Sequence, residues 1–243
     1  MKKVKIMSYN IHSGIGMDEK IDYSRMAGLI GKYTPQVVGI QEVAQSHPRA
    51  EGIYPLLEMG KFLNMKGEFG KTIHVSRPEF GYDYGIGFLT SFDYEYLGKI
   101  ELPNIEKLEP RVAQFVRIKA PAEFIFVNTH LGICPSDAPA AHILRRDQLL
   151  AINQEMDRLQ AEYDLPCVIT GDFNAQPSSP CIDLLSSTWD VTDMKIDTFP
   201  ADEPRIKIDY IATRGKVKCL FYEVIAEKVI SDHRPILAEL EFA

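Results

Sequence analysis

Short apolar runs of strand length recur along the chain, and each carries polar side chains at one end. The run VKIMSYN stops at Asn10, VVGIQE at Glu42 and FIFVNTH at His130. The run CVITGDFN stops at Asp172 and Asn174, and two prolines follow soon after. A turn would explain one such ending, because Asp and Asn suit turns. Repeated endings of this kind predict instead that several strands deliver polar groups to a common edge.

Two further runs extend the pattern. IKIDYI carries Asp209, interpreted as lying at or near the C-terminal end of a strand, and SDHRPI places Asp232 and His233 immediately before the last strand. If the last strand runs opposite to its neighbours, all of these polar groups lie at one edge of the sheets. A collection of carboxylates, amides and histidines with hardly any lysine then indicates a functional site rather than chance turn chemistry.

Periodicity predicts helices between the strands. Apolar residues at i, i+3, i+4 and i+7 from Met26 to Tyr33 form one face of a helix that Asp22 is suited to cap. Two more helices are expected at about 52–64 and 138–162. Strands are expected at 4–9, 36–42, 72–76, 85–91, 94–100, 111–118, 123–130, 166–170, 206–212, 217–226 and 235–242, and loops at 76–85, 101–111, 131–139 and 192–205. This mixture predicts sheets covered by helices, and the β-rich stretch from 72 to 130 argues against a purely parallel, doubly wound sheet.

Length and charge limit the classes of function. A chain of 243 residues fits one large domain or two small ones. Its formal net charge of -7 argues against tight, sequence-blind binding to polyanions, whose affinity comes from Lys and Arg contacts to phosphate. The charge is compatible with a small phosphate ester held by a metal and one or two arginines.

The compartment is read from what the sequence lacks. No apolar run is long enough to span a bilayer, and the N-terminus has no signal-peptide core. The chain as given therefore reads as cytoplasmic, although a secreted or periplasmic protein trimmed of its leader would look the same. The scattered cysteines are expected to be reduced thiols, not a zinc site or a disulfide framework: Cys134, Cys167, Cys181 and Cys219.

The chemistry of the polar groups favours a hard cation. Carboxylate and amide oxygens suit magnesium, manganese or calcium better than zinc, and no Cys or His cluster has metal-ligand spacing. A divalent cation among carboxylates is a natural partner for a phosphate ester. The chain has no G-x-S-x-G motif of a serine hydrolase, and GIGMDEK is not followed by the G-K-[ST] of a P-loop.

The motifs SYNIHSG, QEV, NTHLG, GDFNAQP, IDYI and SDHRPI, in that order, resemble the endonuclease/exonuclease/phosphatase superfamily. That group includes pancreatic deoxyribonuclease, abasic-site endonucleases, neutral sphingomyelinases, inositol polyphosphate 5-phosphatases and deadenylases. The resemblance runs from Asn10 to His233, and NIHSGIGMDEKID is similar to a bacterial branch described as metal-dependent hydrolases. It implies a single domain over 1–243, built as a four-layered α/β sandwich with two packed mixed or antiparallel sheets and helices outside.

The resemblance also implies metal ligands. Asn10 and Glu42 would help to hold a divalent cation, with Glu42 as the principal ligand, and Asp232 would be a second ligand or support one. The expected ion is Mg²⁺, with Mn²⁺ or Ca²⁺ as alternatives. A buried carboxylate such as Glu42 is costly unless it is paired or bound to metal, which agrees with this assignment.

Catalytic roles follow from the same resemblance. Asp172 would position or deprotonate the attacking water, and Asn174 would hydrogen-bond the water or the phosphate. Asp209 would orient His233, which would act as a general base or as a cationic clamp on the phosphate. His130 would be an acid or a phosphate donor, and its presence leans away from abasic-site endonucleases, which lack it.

Several other residues have two interpretations. Arg111 is assigned to the phosphate, with a solvated strand end as the alternative. Arg145 is expected to pair with a buried acid, with substrate contact less favoured. Asp83 and Tyr84 could orient His130, although a turn is the favoured interpretation. The other histidines are assigned to surfaces or loops, and they are His12, His47, His74 and His142. The charged residues of RIKIDYIATRGKVK are assigned to a solvated face.

These features favour a magnesium-dependent hydrolase of phosphoric esters, with phosphodiesters preferred and a monomer expected. A nuclease acting on DNA is the second hypothesis, and a lipid or inositol phosphate phosphatase is a third within the superfamily. A binding protein built on an inactive version of the fold would require losses among the motif residues, and none is missing. Specificity is expected to reside in the loops at 76–85, 131–139 and 192–205.

Overall fold

The computed structural model describes residues 2–77, 80–133 and 139–243 and contains two six-stranded sheets. The first sheet comprises Lys2–Asn10 (β1), Val37–Gln45 (β2), Phe69–Arg77 (β3), Phe80–Thr90 (β4), Val217–Val224 (β11) and Ile236–Phe242 (β12). The second comprises Tyr94–Glu101 (β5), Val112–Ile118 (β6), Phe124–His130 (β7), Cys167–Asp172 (β8), Asp190–Val191 (β9) and Asp209–Arg214 (β10). The helices are Tyr23–Tyr33 (α1), Pro55–Leu63 (α2), Pro139–Tyr163 (α3) and Pro180–Thr188 (α4).

The two sheets share one plan. Their strand orders are β11-β12-β1-β2-β4-β3 and β5-β6-β7-β8-β10-β9. Each sheet has a single parallel pair at its centre, β1 with β2 and β7 with β8, and all its other pairs are antiparallel. The predicted mixed sheets are therefore confirmed, and β12 runs opposite to β1 as the sequence argument required.

Three apolar clusters make the four layers. One cluster fills the space between the sheets, with Phe124 and Phe126 facing Ile6 and Phe88. A second packs α1 and α2 on the first sheet, and a third packs α3 and α4 on the second sheet. Apolar burial on both faces of each sheet is the main stabilising contribution to this arrangement. No helix in the described ranges is long and apolar enough to cross a membrane.

The helix ends follow local chemistry. Asp22 caps α1 as predicted, accepting from the backbone N–H groups of Ser24 and Arg25. The sequence interpretation missed α4, which Ser179 caps and Pro180 begins at the position where proline is best tolerated. The sequence analysis assigned no element to that segment, whose helix is only nine residues long.

One predicted loop is wrong. Within 76–85, β3 extends to Arg77 and β4 begins at Phe80, so these strands form a hairpin rather than a loop. The described cysteines Cys167, Cys181 and Cys219 are free thiols, as expected. Cys134 and most of the predicted loop at 131–139 lie outside the described residues.

A polar layer lies between the two otherwise apolar sheet faces. The side-chain amide of Asn128 donates to the carbonyls of Ile40 and Gly87 at 3.0 and 2.8 Å. Its oxygen accepts from Gln41 at 2.7 Å and from Thr170 at 3.2 Å. Asn128 therefore joins the two sheets directly behind the edge where the predicted site lies.

Replacing Asn128 with leucine is expected to lower the free energy of unfolding by about 2–4 kcal/mol, because each buried partner left unsatisfied costs about 1–3 kcal/mol. Urea unfolding followed by circular dichroism measures the loss. The exposed Asn104 offers a matched control, since Asn104→Leu makes the same chemical change at the surface. Equal unfolding midpoints for the two variants would show that the polar layer contributes nothing.

Candidate active site

Strand direction brings the polar groups to one edge. Asn10, His130 and Asp172 are the last residues of β1, β7 and β8. The interpretation of Asp209 as a strand-end residue is wrong, because it is the first residue of β10. Since β10 runs antiparallel to β8, Asp209 still lies directly opposite Asp172 in the register. His233 precedes β12 in the same way, at the same edge.

Glu42 reaches the site through a β-bulge. The strand β2 does not stop at Glu42, as the sequence suggested, but continues to Gln45. The register with β4 shifts between Ile40 and Val43, and Glu42 has a φ of 56°, in the left-handed region. A bulge of this kind re-aims a side chain, and such strained backbone persists where the surrounding structure enforces it.

The GDFN motif makes both a turn and part of the site. The backbone N–H of Asn174 donates to Asp172 Oδ1 at 2.8 Å, and Asn174 has a φ of 48°. Asn tolerates this left-handed conformation better than most residues. Phe173 points into the core while the side chains of Asp172 and Asn174 turn to the edge. The turn leaves Asp172 Oδ2 available to other groups.

Asn10 stands at the centre of the cluster. Its Nδ2 lies 2.9 Å from Glu42 Oε1, 3.0 Å from Asp172 Oδ2 and 3.5 Å from His233 Nε2. Its Oδ1, the atom that could bind a cation, accepts from the backbone N–H of His12 at 3.0 Å. In this conformation Asn10 orients two carboxylates, and its predicted role as a metal ligand stays a prediction.

His233 is paired with two carboxylates. Its Nδ1 donates to Asp209 Oδ2 at 3.0 Å, and its Nε2 lies 3.6 Å from Asp172 Oδ2. Burial alone would lower the pKa of His233, but the charges of Asp209 and Asp172 outweigh it and raise the pKa to about 10. Burial raises the pKa of Asp172 to about 7, with His233 opposing the rise and Asp209 adding to it. The pair therefore favours an imidazolium at neutral pH.

His130 lies between Asp172 and a buried arginine. Arg111 Nη1 donates to His130 Nδ1 at 2.9 Å, while His130 Nε2 faces Asp172 Oδ2 at 3.5 Å and the Asn174 amide at 3.0 Å. Burial, together with the charges of Arg111 and His233, lowers the pKa of His130 well below 6.5. The ring is therefore neutral at pH 7, unlike that of His233.

Arg111 is buried, so the solvated strand end is wrong for it. Its Nη1 lies 2.6 Å from Glu109 Oε1, and it also hydrogen-bonds the side chain of Tyr84. Burial raises the pKa of Glu109, and the nearby Glu42 adds to the rise while Arg111 opposes it. Sequence reasoning missed Glu109, which has no periodic pattern around it, and favoured a turn for Tyr84, which lies within β4.

Of the three remaining predicted residues, Asp232 and Arg145 line the cavity and Asp83 does not. Asp83 pairs with Lys71 and His74 rather than with His130. Asp232 lines the cavity, with its Oδ2 3.8 Å from His12 Nδ1. Arg145 Nη1 donates to the carbonyl of Gly132 at 3.4 Å and also lines the cavity.

Most of the site residues line a cavity of about 840 Å³. His142 of α3, which is half-buried, and Phe199 also line it. The Phe199 ring packs on the His233 ring with centroids 4.8 Å apart. Predicted residues that line the cavity are Glu42, Arg111, His130, Asp172, Asn174, Asp232 and His233, while Asp209 lies behind His233.

The donor set fits a divalent cation. Ligand atoms of Glu42, His130 and Asp172 lie within 4.8 Å of one another, and those of Asp172, Asp209 and His233 do so as well. The half-buried Glu42 and the buried Asp172 are close enough to repel one another, and a cation between them would offset that repulsion. Oxygen-rich sites of this kind suit hard cations such as Mg²⁺, Mn²⁺ or Ca²⁺.

A family model described as the endonuclease/exonuclease/phosphatase family matches residues 7–233. The chain belongs to this family. Its members are hydrolases that act on phosphoester bonds, and the predicted four-layered fold and family membership are both confirmed. A comparison with curated protein sequences finds no match.

Solved structures with the same fold come from distant relatives. A family protein from Bacteroides thetaiotaomicron is 17% identical with a TM-score of 0.77, covering 100% of this chain and 96% of its own. A mannosyl-6-phosphatase from the same organism is 20% identical with a TM-score of 0.74, covering 98% and 100%. The human nocturnin catalytic domain with bound sulfate is 18% identical with a TM-score of 0.73, covering 99% and 95%.

Proposed function

We propose that this chain is a magnesium-dependent hydrolase of phosphoric esters, with phosphodiesters favoured, acting as a single-domain monomer. The observation that carries the proposal is the convergence of Glu42, Asp172 and Asp209 with two histidines of opposite charge preference at one sheet edge. Such a cluster is costly for folding, because buried like charges oppose one another. A cation and a phosphate ester are the partners whose charges offset that cost.

Glu42 and Asp172 would hold the cation, with Asp232 and Asn10 beside them. When bound, Mg²⁺ neutralises charge on the phosphate and orients the attacking water. Mn²⁺ or Ca²⁺ would satisfy the same oxygen donors. Asn10 keeps the two principal carboxylates together through its amide nitrogen.

Different residues carry out proton transfer and stabilise the charge of the phosphate. Asp172 accepts a proton from water as the water oxygen bonds to phosphorus and the ester P–O bond breaks, and the leaving oxygen takes a proton from solvent. His233, held by Asp209 as an imidazolium, favours the role of cationic clamp on the phosphate over that of general base. Neutral His130, with Arg111 and Asn174, contacts the phosphate oxygens rather than acting as a strong acid.

Two features favour a small ester over DNA. The net charge is -7, and Glu109 is paired with Arg111, a cation of the cavity assigned to phosphate. Relatives of the same fold include a mannosyl-6-phosphatase, which by its name acts on a sugar phosphate. A nuclease remains the second candidate, and a lipid or inositol phosphate phosphatase the third.

A substrate panel with Mg²⁺ tests the proposal. We expect the purified protein to hydrolyse bis-p-nitrophenyl phosphate faster than p-nitrophenyl phosphate, plasmid DNA, sphingomyelin or inositol phosphates. Protein with His233→Ala serves as the control for contaminating hydrolases. Plasmid cleavage far faster than small-ester hydrolysis would reverse the ranking, and no hydrolysis of any ester with any of the three cations would refute the function.

A further inference from the structure

Lys207 is a charged residue that the sequence analysis placed in solvent but that the structure buries. Its motif RIKIDYIATRGKVK was assigned to a solvated face, yet Lys207 is only 2% exposed. Lysine is rarely buried so completely unless it is paired, because its ammonium loses its hydration. Burial lowers the pKa of Lys207, while Asp193 and Asp209 oppose the fall. A buried ammonium two residues from Asp209 calls for an explanation.

The ammonium has defined partners. Lys207 Nζ donates to the backbone carbonyl of Asp209 at 3.0 Å and to the Tyr222 hydroxyl at 2.9 Å. It lies 3.3 Å from Asp193 Oδ2, and the rings of Tyr210 and Tyr222 flank it with centroids 4.9 and 5.2 Å away. These contacts fix the side chain in one position, doubled back onto the residue that pairs with His233.

Contacts of Asp193, Thr198 and Phe199 connect the segment 193–201 to the His233–Asp209 pair. Asp193 Oδ2 also accepts from the backbone N–H groups of Lys195 and Ile196. Further along, Thr198 Oγ1 accepts from the backbone N–H of Asp209 at 3.4 Å, and the Phe199 ring packs on His233. The Asp209 peptide is thus bound from its carbonyl by Lys207 and from its N–H by Thr198.

We propose that Lys207, paired with Asp193, is a positioning residue that fixes the Asp209 carboxylate against His233 and couples the segment 193–201 to the reaction. The inference rests on the proposed function, in which Asp209 holds His233 at the phosphate. It assigns Lys207 no contact with substrate. Loss of the ammonium frees the Asp209 carbonyl and removes a positive charge next to the carboxylate, so the His233–Asp209 hydrogen bond loosens.

Variants of the Lys207–Asp193 pair can separate a positioning role from a purely structural one. A buried ion pair is weak evidence for stability, because its Coulomb gain is offset by desolvation. Methionine matches the apolar stem of lysine and fills a similar volume. Lys207→Met is therefore compatible with a folded protein whose chemistry has changed, and Asp193→Asn tests the same pair from the other side with less change in shape.

Two readouts test the proposal. With the ester that wild type hydrolyses, Lys207→Met and Asp193→Asn are expected to lower kcat about 10- to 100-fold with KM unchanged, the scale for losing a group that supports a catalytic residue. In proton NMR, the far-downfield resonance of the His233 Nδ1–H, assigned by its loss in His233→Ala, should shift or broaden in both variants. Lys195→Met, at an exposed lysine of the same segment, should change neither.

The NMR readout does not depend on knowing the substrate, so it separates this inference from the proposed function. If Lys207→Met fails to fold, Asp193→Asn decides the matter. A folded variant with an unmoved His233 resonance would overturn the inference, whether or not its activity falls. Inactivity of wild type on every ester, with the resonance displaced in both variants, would refute the function and leave the positioning role standing.

Discussion

Asp172→Ala and His233→Ala are each expected to lower kcat at least about 100-fold, the usual scale for losing a proton-transfer group or a charge-stabilising group. Asp172 is the carboxylate on which Asn10, His130 and His233 converge. The imidazolium of His233 carries the positive charge that faces the Asp172 carboxylate. Steady-state kinetics on the best ester of the panel, with near-ultraviolet circular dichroism to verify folding, measures the effect.

The double variant sharpens this expectation. Because the two side chains act on one phosphate, the combined loss should be well below the product of the single losses. Asp183→Ala, at an exposed carboxylate of α4, is the matched control and should keep wild-type kcat. Folded single variants with full activity would refute the assignment of both residues.

Removal of divalent cations is expected to abolish hydrolysis, and added Mg²⁺ should restore it. Glu42→Gln keeps the shape of the side chain but removes the charge that the bulge in β2 aims at the site. We expect this variant to need about 10- to 100-fold more Mg²⁺ for half-maximal activity, because a neutral amide binds a hard cation more weakly than a carboxylate.

Thermal unfolding gives a readout independent of activity. A cation that binds only the folded protein stabilises it by about 2.7 kcal/mol at 100 times its Kd. Mg²⁺ should therefore raise the Tm of wild type more than that of Glu42→Gln. Glu162→Gln, at an exposed position of α3, should behave like wild type. Undiminished hydrolysis after exhaustive chelation would refute metal dependence.

Much of the architecture was predictable because it depends on local chemistry. The apolar spacing and the Asp22 cap determine α1, and these signals act within a few residues of each other. The strands carrying Asn10, His130 and Asp172 were likewise evident from apolar runs that end in polar residues. The short α4 was missed because its helical signal covers little more than two turns.

The errors in the site come from geometry that acts between strands. Glu42 reads as a strand end in sequence, and only its pairing with β4 reveals the bulge. Asp209 reads as the end of its run, and only the antiparallel register with β8 places it at the correct edge. Glu109 and Lys207 carry no pattern that marks them, because their roles depend on ion pairs with Arg111 and Asp193 that only the folded structure reveals.

The sequence by itself determined which chemical groups this protein can offer and that its strands end in them, because strand propensity, turn chemistry and motif order are local properties. The tertiary structure decided which of these groups lie close enough to form ion pairs and hydrogen bonds with one another. Asn10 and Asp172 are 162 residues apart in the chain yet 3.0 Å apart in space. Such proximity depends on strand order, register and one bulge, and electrostatic coupling between buried groups falls steeply once they separate.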